Sequence, residues 1–412
     1  MKKLLALLLS AVSLLQLCAC ASGPERAEPL SDSQEGRIVN LMAQIEATQP
    51  ADPAVPDASC EALAAEFAVA LLQNSRLQED ENFILSPYSI LCALAMTANG
   101  AQRETLAQME EIMGMSSQEL NRYLYQISAA ARQEMVAANS IWFREGFNVA
   151  STFLESTAGY YGAAAYQAPF DGLTVQQMNE WVSQQTGGRI EEIIQELNED
   201  DRMVLLNALA FDGVWMEPYA QEDIQEGSFT AADGTMQTVQ MMSSTEHSYL
   251  QDSLATGFIK EYENGYCFVA LLPNEGVSME DYLASLTGTG LLSTIENSRT
   301  TRVSVSMPML EAETSLSLKE VLTAMGMELP FSSMADFSAM GQGDLYLSDV
   351  LHKTSLKIDE QGTQAGASTS AIVTEKSASR SLSVVLNRPY VMAIMDSQTG
   401  AILFMGVVNQ IP

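Results

Sequence analysis

The sequence predicts an α+β domain built around a large sheet, and three observations carry that expectation. Segments with helical spacing gather in the first half, as in "SCEALAAEFAVALLQNS" and "RETLAQMEEIMG", where apolar residues recur every three to four positions. Runs that read as strands, "CFVALLP", "VSVSMPML" and "AILFMGVV", dominate later and are bounded by turn residues. The two types do not alternate strictly, and no repeat of solenoid or propeller period is present, which favours α+β.

Taken in order, the chain opens with "MKKLLALLLSAVSLLQLCACAS". Lys2 and Lys3, an apolar run and then small residues make residues 1–20 an export signal lying outside the fold. Within it "LCAC", ending at Cys20, resembles the bacterial lipoprotein box, whose last cysteine is acylated and becomes the mature amino terminus. Cys20 is therefore the candidate lipid anchor, holding the chain on the outer face of a bacterial membrane or cell surface. Plain secretion, with cleavage after the small set Ala19, Cys20 and Ala21, is the alternative. Residues 21–56 are rich in Pro, Ala, Glu, Ser and Asp and read as a flexible stalk. One amphipathic piece of it, "GRIVNLMAQIEA", is expected to be helical. The body, residues 57–412, contains no second linker of that composition and reads as one domain.

Composition narrows the function. The 412 residues are 47% hydrophobic and 17% charged, as in a globular protein with a packed core. A formal charge of −32, from 52 acidic and 20 basic residues, repels phosphate backbones and argues against nucleic-acid binding. Cys60, Cys92 and Cys267 form no CxxC pair and show no metal spacing; Cys92 and Cys267 sit in apolar runs and are expected in the core. The two histidines, His247 and His352, lie in no GxSxG, HExxH, Walker or GxGxxG context. The chain is therefore not expected to be an enzyme, no cofactor is expected, and His352 reads as a hydrogen-bonded core residue.

One stretch is unlike the rest. Residues 362–374, "GTQAGASTSAIVT", carry no charge and no proline, so they can form a strand without losing ladder donors or burying a charge. A period of two places Thr363, Ala365, Ala367, Thr369, Ala371 and Val373 on one face, small enough to fit between the strands of a packed sheet. The segment is equally poor in large apolar side chains, so an exposed loop and a strand both suit it.

In its context, "KIDEQGTQAGASTS" resembles the hinge of the reactive loop in serpins, the serine-protease inhibitor family. Further stretches agree, in order: "NFILSPYSILCALAMTANGAQRET", "NSIWFREGF", "MNEWVSQQTGGRIEEII", "VLLNALAFDGVW", "VSVSMPMLEAETSLSLKEVLTAMGM", "VLHKTSLKIDE" and "RPYVMAIMDSQTGAILFMGVV". The resemblance implies a single domain with three β-sheets, about eight or nine helices and an exposed reactive loop, here at about residues 360–388. It also implies a function: a suicide inhibitor, attacked by a target serine protease as substrate, that traps it as an acyl-enzyme by inserting the cut loop into the main sheet.

Carried onto this chain, the hinge comprises Glu360, Gly362, Thr363, Ala365, Gly366, Ala367, Ser368 and Thr369, with Gln361 and Gln364 replacing charged residues common in the family. Counting seventeen residues from Glu360 reaches Lys376, which puts the reactive bond at Lys376–Ser377. Because the stretch to Arg388 is somewhat long, Arg380–Ser381 is the second choice; either suits trypsin-like proteases. Ser86, Ser89, Asn207 and His352 match the shutter under the opening sheet, while Trp215 and Lys357 fall near the breach where insertion begins. A monomer is expected, with polymers when destabilised. The alternatives are a non-inhibitory serpin acting as a binding or chaperone-like module, and an inhibitor of elastase-like or cysteine proteases.

Overall fold

The helix Pro87–Ala98 has no polar face: all twelve of its residues are buried. Such a helix belongs inside a protein, and here it forms the centre around which the rest is laid. Its start is set by Ser86, whose hydroxyl accepts from the Ser89 amide, and by Pro87 at the first helical position. The computed structural model describes residues 38–46, 58–75, 81–131, 134–363 and 382–412. Among the described residues there are nine α-helices and three sheets, of eight, nine and two strands, so the α+β expectation holds.

The main sheet sets Ala164–Ala168, Met135–Arg144, Met203–Phe211, Leu347–Ile358 and Leu310–Ser317 side by side in that order. Its central pair, Met203–Phe211 and Leu347–Ile358, runs parallel, whereas the neighbours on either side of that pair are antiparallel to it. All nine residues of Met203–Phe211 are buried, as expected of a strand covered on both faces. By contrast Leu310–Ser317 alternates strictly between buried and exposed, because one face of this edge strand meets water. The helix Gly172–Gln185, capped by the Asp171 carboxylate, covers the outer face through Trp181, Val182 and Met178 packed with Trp142 and Tyr166.

In the second sheet Tyr266–Pro273, Tyr390–Asp396 and Ile402–Val408 are consecutive antiparallel strands buried throughout. Near its edge, Leu382–Val385 pairs parallel with Arg299–Pro308, which fixes where the chain rejoins the body after residue 381. The expected helices appear at Ala58–Asn74 and at Arg103–Met113, the latter ended by Gly114 at φ 74°. Cys92 and Cys267 are buried and free, and Cys60 is half-buried. Burial pushes the Cys92 thiol up to about 12 and that of Cys267 to about 11, so neither is a thiolate at neutral pH.

The expected helix in "GRIVNLMAQIEA" is corrected. Val39–Asn40 is a short strand antiparallel to Ala164–Ala168, and residues 41–44 form a turn. Asn40 Oδ1 accepts from the Met42 amide at 2.8 Å, closing that turn, and Met42 is buried in the main core. The amphipathic spacing is real, but edge pairing and one buried methionine satisfy it without a helix. Residues 38–46 thus lie against the body rather than extending from it as a stalk.

Candidate functional site

At one end of the central pair the strand Leu347–Ile358 turns back on itself. Asp359 makes the turn: its carboxylate accepts from the Gln361 and Gly362 amides at 2.9 and 3.3 Å, and its own amide donates to the Gly362 carbonyl at 2.8 Å. Gly362–Thr363 then forms a short strand antiparallel to two neighbours, with Thr363 opposite Ile358 on one side and Gly213 on the other. Both residues are buried. The hinge therefore enters the main sheet at this end, between the continuations of the two strands that run parallel below it.

Glycine is required at 362. Its φ is 152°, and a Cβ there would lie 2.0 Å from the Gly213 carbonyl oxygen. Thr363 is 0% exposed, and its hydroxyl shares a 2.6 Å hydrogen bond with the Tyr262 phenol. Tyr262 stacks on Trp215 with centroids 4.1 Å apart, forming an aromatic floor. Three successive hinge carbonyls are gripped by one short loop, residues 215–219. Trp215 Nε1 donates to the Asp359 carbonyl at 3.0 Å, the Tyr219 amide to that of Glu360 at 2.9 Å, and the Trp215 amide to that of Gln361 at 2.9 Å.

Gly362→Ala is expected to weaken this seat by about 3 kcal/mol, through backbone strain and the carbonyl clash. The measurement is hydrogen exchange at the Trp215 and Tyr219 amides, which should quicken; unchanged protection would argue against a docked hinge.

A second cluster lies below, where Asn139, Asn207 and His352 stand level on three adjacent strands. Asn207 Nδ2 donates to the Asn139 side chain and to the Ser89 carbonyl, both at 2.6 Å, and its Oδ1 meets His352 Nδ1 at 2.7 Å. The Ser86 amide donates to His352 Nε2 at 3.1 Å, so Nε2 is the bare nitrogen and Nδ1 carries the proton. This row joins the two parallel strands to each other and to the buried helix. Thr354 and Thr314 extend it, since Thr354 Oγ1 donates to the Ile84 carbonyl at 2.7 Å and Thr314 Oγ1 accepts from the Ile84 amide at 3.0 Å.

Burial holds the His352 imidazole down at about 3 instead of the ordinary 6.5. Below 6.5 the unfolded chain binds a proton that the folded chain refuses until about pH 3. Stability is therefore lost as pH falls through that window, by about 1.4 kcal/mol per unit, and this contribution is intact above it. Urea midpoints between pH 6 and 4.5 should fall less steeply in His352→Gln by about one proton; equal slopes would place the ring in water.

Ser86, Ser89, Asn207 and His352, expected together, are together. Trp215 lies at the hinge, whereas Lys357 is exposed and in register with Glu311 on the neighbouring strand. Glu360, Gly362 and Thr363 are placed as above. Ala365, Gly366, Ala367, Ser368 and Thr369, both candidate bonds at Lys376–Ser377 and Arg380–Ser381, and Cys20 lie outside the described residues. Sequence reasoning missed Tyr262, Tyr219, Asn139, Thr314 and Thr354. A polar residue amid apolar ones, such as Asn139 in "ANSIWF", was the one available signal.

Comparison with known proteins agrees with this geometry. The family model for serpins (serine protease inhibitors) matches residues 62–411. An alpha-1-antitrypsin-like protein of Tamias sibiricus is 30% identical over 364 residues, covering 84% of this chain and 87% of its own length. Antithrombin-III of Bos taurus is 30% identical over 368 residues, covering 82% and 79%. The solved native state of the thermophilic serpin tengpin superposes with a TM-score of 0.86 at 38% identity, covering 91% of this chain and all of that one. Its latent state gives 0.76 at 36% identity, over 88% of this chain and all of that one. With the hinge seated beside Trp215 and the polar row beneath the central strands, the chain belongs to the serpin family.

Proposed function

We propose that this protein is a suicide-type inhibitor of trypsin-like serine proteases, exported and tethered by a lipid on Cys20 to the outer face of a bacterial membrane. The observation that carries the inhibitory reading is the Gly362–Thr363 strand, seated antiparallel between Ile358 and Gly213 in line with the parallel central pair. A strand continuing from Thr363 would extend between Met203–Phe211 and Leu347–Ile358, antiparallel to both, and after the uncharged Gln364 the residues Ala365 to Thr369 are small and uncharged.

The protease's nucleophilic oxygen bonds to the carbonyl carbon of Lys376, or of Arg380 on the second count. The peptide C–N bond breaks, and the new amine of Ser377 or Ser381 takes up the proton. The carboxyl-side piece stays on the body through Leu382–Val385, while the amino-side piece, esterified to the protease, is drawn into the sheet from its hinge end. Dragging the enzyme across the molecule distorts its site before water can release the acyl group. The lipid tether rests on the leader and on "LCAC".

Incubation with trypsin followed by denaturing electrophoresis is expected to give a covalent complex, with a released carboxyl fragment beginning at Ser377 or Ser381. Cleavage without a complex would favour a non-inhibitory binding module. A mature terminus that begins unmodified at Ser22 would remove the anchor.

A further inference from the structure

Lysine is seldom fully buried unless its charge is matched, yet Lys260, on the strand Ala255–Glu261, is 2% exposed. Its ammonium donates to Glu246 Oε1 at 2.9 Å and to the Glu217 carbonyl at 3.0 Å. It also lies 4.5 Å from the centroid of the Tyr219 ring and 5.3 Å from that of Trp215. Glu246 is held in turn by Ser244 Oγ at 2.5 Å. The ammonium therefore meets residues 215–219 at three places: the ring at one end, the carbonyl in the middle and the ring at the other end.

That loop is the one whose three N–H groups grip the carbonyls of Asp359, Glu360 and Gln361. Pro218 within it has no amide to donate. A methionine in place of Lys260 would fill similar volume without burying a charge, and buried ion pairs are commonly no more stabilising than apolar replacements. What an ion pair supplies that methionine cannot is direction: two fixed hydrogen bonds and two oriented ring contacts.

From this we infer that Lys260 is a positioning residue for loop insertion. It fixes residues 215–219 so that the Asp359–Gln361 turn is already in the geometry from which the strand beginning at Gly362 is extended. The inference rests on the insertion reading given above and assigns a role within it to a residue that meets the hinge only through the 215–219 loop.

The test measures, for the full-length protein mixed with trypsin, the fraction of loop cleavages that end in covalent complex, with cleavage itself followed separately. Lys260→Met is expected to lower that fraction about tenfold, the scale of a lost charged hydrogen bond. Lys260→Arg, which keeps the charge and donors, should recover most of it. A merely space-filling lysine would shift the thermal midpoint and leave the fraction alone, so a folded Lys260→Met with the wild-type fraction overturns the inference. If Lys260→Met does not fold, Glu246→Gln carries the test: a reduced fraction supports the role, and an unchanged one overturns it. Wild-type protein that is nicked with neither a complex nor a raised thermal midpoint overturns the insertion reading and this inference together. That failure appears in the wild-type control, whereas failure of the Lys260 assignment appears only in the variants.

Discussion

Thr363→Arg is expected to turn the protein from a trap into a substrate: trypsin-like proteases still cut the loop, but the covalent complex falls by at least about a hundredfold. Thr363 is 0% exposed, wedged between Ile358 and Gly213 with its hydroxyl on Tyr262. A guanidinium there would have no carboxylate partner, and burying an unpaired charge costs several kcal/mol. The hinge would be expelled, and the first step of insertion with it. Because the proposed bond, at residue 376 or 380, is well beyond Thr363 in the chain, cleavage is expected to be left intact. Thr363→Ser keeps the hydroxyl and should behave as wild type. Complex formation by the arginine variant at the normal yield would show that Thr363 does not have to be inside the sheet.

Asn207→Ala is expected to lower the thermal transition and to speed the appearance of polymers on gentle warming. The amide satisfies three polar groups in a region sealed from water: its partners are the Ser89 carbonyl, Asn139 Oδ1 and the protonated nitrogen of His352. Truncation takes a partner from all three, and at about 1–3 kcal/mol for each unsatisfied buried group the loss is at least about 3 kcal/mol. It also removes the side-chain bond that ties the two parallel strands together, so they part more readily and accept a loop from the same or another molecule. Native gels after mild heating and a thermal melt check both effects; a variant matching wild type in each would move the lock elsewhere.

How much of this could be read in the chain differs from element to element. The helices at Ala58–Asn74 and Arg103–Met113 were legible because each carries its own pattern, and the second its own stop at Gly114. The strand Met203–Phe211 was harder, since a fully buried strand does not alternate. Ser86 and His352 are 266 residues apart in sequence and hydrogen-bonded in space; no local spacing encodes that contact, and only the resemblance to a family brought the two together. Lys260 was not legible at all. In "TGFIKEY" it looks like a solvated charge on a strand, and its burial is decided by Glu246, Tyr219 and Trp215, none of them near it in sequence. Residues 38–46 carried a helical rhythm, but the open edge at Ala164–Ala168 settled their conformation.

The parallel pairing of the two central strands, rung by rung from Val204 with Asp349 to Ala210 with Ser355, has a last consequence. A newcomer sliding in would exchange one parallel ladder for two antiparallel ones, a net gain of backbone pairing. Such a seam can be unzipped from the end where Gly362–Thr363 already sits as a wedge. Under the proposed insertion, the rungs near Ala210 part first and set the pace, and those near Met203 part last.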